Sequence, residues 1–61
     1  MFVEGDKIAV KVKKSVGKDL YFKTGKILSW HHDDVYTVLI EDKEYVLFGT
    51  EMEKVVNNDK S

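Results

Sequence analysis

A chain of 61 residues has room for one globular domain and no second. Cysteine does not occur, which excludes disulfides and thiolate zinc centres, and no apolar run approaches the length of a membrane span. Hydrophobic content of 43%, charged content of 34% and a net charge of −1 exclude a strongly basic polyanion binder and a disordered acidic tail.

The segment Met1 to Gly5 lacks the basic and apolar regions of a signal peptide, and a cytoplasmic location is expected. Gly5-Asp6 is a turn signal. From Asp6 to Lys13, Ile8, Val10 and Val12 alternate with Lys7, Lys11 and Lys13, the period of two that predicts a half-buried strand. Residues 14–21 read as a polar loop, with Gly17 available for a tight excursion. A second strand is predicted from Phe22 to Trp30, with Gly25 marking a bend or bulge. His31-His32-Asp33-Asp34 reads as a solvated turn; its residue types are those of metal ligands, but no set of three or four is spaced as a site, so no metal is expected.

A third strand is predicted from Val35 to Glu41, a hairpin turn at Asp42-Lys43, and a fourth strand from Glu44 to Phe48. Thr50 and Glu53 have the spacing of a capping box, which predicts one short 3-10 turn before a last strand at Val55-Val56. The domain is expected to span 1–56, with 57–61 a frayed polar tail.

Strands three and four carry apolar residues at both parities: Tyr36, Val38 and Ile40 against Val35 and Leu39, and Tyr45 and Leu47 against Val46 and Phe48. A sheet with one wet face alternates cleanly, and so small a domain cannot bury two faces. An apolar outer patch of Leu28, Trp30, Val35, Leu39 and Val46 is therefore expected to meet a protein partner or a second copy. Charge is split along the chain. Residues 1–30 hold seven lysines against three acids (+4), and residues 31–61 hold three lysines against eight acids (−5). Lys7, Lys11, Lys13, Lys23 and Lys26 form the alternative site, a phosphate-contacting face near Tyr21 and Phe22. With no arginine, that face lacks the usual bidentate reader of bases. Tyr21, Trp30 and Tyr45 are candidates for an aromatic cage around a methylated ammonium.

The pattern Gly5-Asp6-Lys7-Ile8-Ala9-Val10, Thr24-Gly25-Lys26-Ile27, Tyr36-Thr37-Val38-Leu39-Ile40 and Glu51-Met52-Glu53-Lys54-Val55 resembles the SH3-like small β-barrels, among them Tudor and KOW-type domains. The resemblance implies an all-β, five-stranded barrel. A more distant likeness to type II dihydrofolate reductases implies no activity, because Tyr45-Val46-Leu47-Phe48 stands where that family has Val-Gln-Ile-Tyr. No nucleophile–base motif and no cofactor motif is recognisable, so a non-enzymatic binding module is expected. Small size and lysine-only basicity prompt the expectation of a phage or mobile-element origin.

Overall fold

The computed structural model describes residues 2–56. They form five strands, β1 (Lys7–Val10), β2 (Thr24–Trp30), β3 (Val35–Ile40), β4 (Lys43–Phe48) and β5 (Met52–Lys54), and two 3-10 turns, η1 (Lys18–Leu20) and η2 (Gly49–Glu51). All pairings are antiparallel, in one sheet of order β4-β3-β2-β1-β5. β4 and β5 are its two edges and do not pair with each other. No helix among the described residues is long and apolar enough to cross a membrane.

Alternation places Ile8, Val10, Ile27, Tyr36, Val38, Ile40, Leu47 and Met52 in one buried cluster. Tyr36 and Val38 on β3 are fully buried, with Ile40 beside them, so the middle of that strand is the middle of the core. Phe2 packs its ring edge-to-face on Tyr36 at 5.4 Å between centroids.

The chain leaves β1 earlier than its alternation predicts. Val12, expected inside, is exposed, and the loop between β1 and β2 supplies Val16 and Leu20 to the core instead. The loop expected to be polar is thus a plug. Lys11 N–H still donates to the Glu51 carbonyl (2.8 Å), one step past the Val10–Met52 pair, before the chain turns away. β2 begins at Thr24 rather than Phe22. Gly25 lies at no bulge; the irregularity falls at Leu28, between the pairs Ile27–Val38 and Ser29–Thr37. Gly25 serves close approach: a Cβ there would meet the Leu39 carbonyl and come within 2.6 Å of Ile40 Cγ1.

The β3–β4 turn is centred one residue earlier than expected. Ile40 pairs with Lys43, so Glu41 and Asp42 are the two turn residues, at φ 52° and 68°. Positive φ at both positions is the primed type I geometry that matches sheet twist. The last strand is Met52–Lys54, not Val55-Val56, although Val55 N–H still donates to the Lys7 carbonyl (2.9 Å). The tail expected at 57–61 lies outside the described residues.

The cap of η2 is also in a different register. Phe48, not Thr50, precedes the turn, and its N–H donates to Glu51 Oε1 (2.8 Å). The second carboxylate oxygen accepts the Ser15 hydroxyl (2.5 Å). Glu51 is buried and holds the β4–β5 corner and the β1–β2 loop together. Removing it leaves an N–H and a hydroxyl without their partner, at a cost of about 2 kcal/mol. Glu51→Ala should lower Tm by roughly 10 °C in a domain of this size. Thr50→Ala should change Tm by at most a couple of degrees; thermal denaturation of both variants tests which residue caps the turn.

Candidate interaction face on β3 and β4

The residues of β3 and β4 that point away from the core form a second apolar surface. Cross-strand pairs Val35–Phe48, Thr37–Val46 and Leu39–Glu44 define it. Val35 and Leu39 are half-buried, whereas Val46 and Phe48 are 65% and 54% exposed. Half-buried Leu28 extends it across the bulge in β2, just before Ser29, which stands opposite Thr37. Four of the five residues expected in an outer patch, Leu28, Val35, Leu39 and Val46, therefore lie together.

Trp30 departs from them. It stands opposite buried Tyr36, donates its indole N–H to the Asp33 carbonyl (2.9 Å), and borders a separate hollow with Phe2 and Val3. The bulge at Leu28 is the reason, since one extra residue reverses the parity of everything after it. Phe48 is the residue that sequence reasoning left out of the site. Its parity, shared with Val46, was the available signal.

A cleft of about 550 Å³ opens at one end of this surface, between Val35 and Phe48. Asp33, Asp34, His32 and Thr50 form its polar border. Asp33, at φ 52°, uses the tolerance of aspartate for left-handed backbone to close the β2–β3 turn. Glu44 lies at the other end, opposite Leu39 on β4, while Lys26 stands opposite Leu39 on β2, so carboxylates border the β4 side of the strip and a lysine its β2 side. β4 is also an edge strand, with one row of backbone N–H and C=O groups facing no other strand.

The lysines do not form one face. Lys7 and Lys26 stand opposite each other and share a shallow hollow with Glu41 and Asp42. Lys23 donates to Glu41 (2.9 Å). That hydrogen bond, and then the Glu41 charge, hold its ammonium pKa above the usual lysine value. The contact is complete below the ordinary lysine range and is lost as pH rises through the raised value, so it does not respond near neutrality. Lys11 and Lys13 lie beyond the end of β1, and neither forms an ion pair with a carboxylate among the described residues.

The other constellations stay dispersed. Tyr21 donates its hydroxyl to the Lys13 carbonyl (3.0 Å), Trp30 turns to the β2–β3 corner, and Tyr45 packs on the core. His31 Nε2 sits 2.5 Å from Thr37 Oγ1, but no other side chain among the described residues orients the ring, as a general base needs. No group of three or more His, Cys, Asp or Glu among the described residues is placed to hold a metal ion.

No family model matches the chain, and no curated protein or solved structure matches it. The reading of this face therefore stands on its own geometry. An exposed apolar residue that folding does not use tolerates replacement. Val46→Asp should shift the free energy of unfolding by about 0.5 kcal/mol or less, while Ile40→Ala, one strand away and inside, should cost about 2–5 kcal/mol. Urea titrations of the two variants measure the contrast.

Proposed function

We propose that this chain is a non-enzymatic protein-binding module on an SH3-like scaffold, working through the outer face of β3 and β4. The observation that carries the reading is the pair Val46 and Phe48, both more than half exposed on an edge strand. An apolar strip with a charged border is the anatomy of a protein interface. The free edge adds main-chain hydrogen bonding, so the partner is an extended segment laid alongside β4. Its alternate side chains are apolar, to cover Val35, Val46 and Phe48. Its flanks are basic, to meet Asp33, Asp34 and Glu44.

A standard interface covers about 800 Å² per partner. The chain exposes 4413 Å², so such a contact takes roughly a fifth of the surface. The Val35–Phe48 cleft alone is too small for that, and the proposal needs the whole strip from Leu28 to Phe48. A second copy of the chain is the competing occupant.

Two measurements test this. Titration with a peptide of alternating valine and lysine should shift the backbone amide resonances of residues 43–48 and slow their hydrogen exchange. Phe48→Asp should weaken that binding at least tenfold with Tm preserved. Shifts confined to β1 and β5 would sink the proposal. Sedimentation of the purified chain reports the competitor: a dimer dissociated by Val46→Asp assigns the face to self-association.

A further inference from the structure

A different part of the molecule carries an exposed aromatic ring that folding does not explain. Phe22 is 77% exposed, the highest value among the large hydrophobic residues described. Its backbone is left-handed, at φ 67°. Tyr21 at φ −55°, ψ 130°, and the hydrogen bond from Lys23 N–H to the Leu20 carbonyl (3.0 Å), identify residues 20–23 as a type II turn with Phe22 at its third position. That position requires positive φ and ordinarily takes glycine.

Phe22 also donates its N–H to the Val10 carbonyl (3.0 Å), while Val10 N–H donates to the Lys23 carbonyl (2.9 Å). Two residues thus face one across the strands, the bulge whose first position is again a glycine position. A bulky side chain here is an outlier with a conformational cost, and the ring is mostly in water. Glycine would remove both penalties. The ring is not part of the buried cluster or of the side chains packed against it.

The hydrogen bonds around Phe22 bring the backbone of several lysines to the turn. Val10, its partner, is followed by Lys11; the Tyr21 hydroxyl holds the Lys13 carbonyl; and Tyr21 N–H donates to the Lys18 carbonyl (3.2 Å). Lys11, Lys13, Lys14 and Lys18 are exposed, and none forms an ion pair among the described residues. Asp19 is the sole acid between residues 11 and 23.

We propose that Phe22, with Lys11, Lys13, Lys14 and Lys18, is a stacking platform for single-stranded nucleic acid. A base stacks on the ring, and the lysines neutralise the phosphates on either side of it. A rigid turn holding one ring suits a flat base. An anionic membrane would instead call for a larger apolar area to insert. With lysine as the only cation and no arginine, binding is indifferent to sequence and sensitive to salt. The site is independent of the β3–β4 face and does not rest on its function.

The test uses the full chain and a fluorescein-labelled 12-mer of deoxythymidine, read by anisotropy. The parent binds at 50 mM salt, and affinity falls with a log–log slope of roughly −3 for four phosphate contacts. Phe22→Gly should raise Tm and weaken binding roughly tenfold or more; Phe22→Trp should retain binding. An abasic 12-mer with the same phosphates should bind the parent as weakly as the thymidine 12-mer binds Phe22→Gly. The proposal is overturned if the parent does not bind at 50 mM salt, if Phe22→Gly binds like the parent, or if its Tm falls. It is overturned as well if the abasic strand binds as tightly as the thymidine strand. Binding to phosphatidylserine vesicles without binding to the oligonucleotide would assign the ring to a membrane surface.

Discussion

Tyr36, Val38 and Ile40 fill the centre of the one buried cluster among the described residues, and the remaining elements are arranged to cover them. β2 and β4 flank β3 in the sheet, while β1, β5, the loop plug and the N-terminal Phe2 complete the enclosure. A chain of 61 residues has enough apolar surface for one such core and little beyond it. Burying one parity of β3 and β4 therefore leaves the other in water, apolar though it is. The β3–β4 face is a consequence of size as much as of sequence.

Corners, not strands, carry the polar interior of this fold. Glu51 is the one charged side chain buried among the described residues, and both of its carboxylate oxygens are engaged. Asp6 does related work nearer the surface, accepting the Val3 N–H (3.0 Å) and lying 3.7 Å from the Lys54 ammonium. No buried side-chain polar atom among the described residues lacks a partner. In a small domain with a marginal core, this saturation matters, since an unpaired buried group costs as much as several methylenes contribute.

Among the described residues, four non-glycine residues take left-handed backbone, and they differ in kind. Asp33 and Asp42 belong to a residue type that tolerates the conformation, and Glu41 shares a tight hairpin turn and reaches Lys23. Phe22 has neither excuse. Local preference and global structure agree almost everywhere in this chain, and the place where they conflict is the place where a role outside folding is most economically assigned.

Alternation by twos is a local property, so the sequence by itself determined that strands run through residues 7–10, 35–40 and 44–48 and which of their side chains share a face, though not where β1 ends or that Lys43 already belongs to β4. It also determined that Val35, Leu39 and Val46 would be left over, because counting apolar residues at each parity needs no knowledge of neighbours. What only the tertiary structure decided involves partners distant in sequence. The exposure of Val12 goes with a loop that turns away after β1 and fills the core with Val16 and Leu20 instead, which the alternation cannot show. The reversal of Trp30 follows from a bulge that exists only in the pairing of β2 with β3. The left-handed turn at Phe22 is fixed by Val10 across the sheet, and a backbone angle imposed from another strand leaves no trace in the residue types beside it.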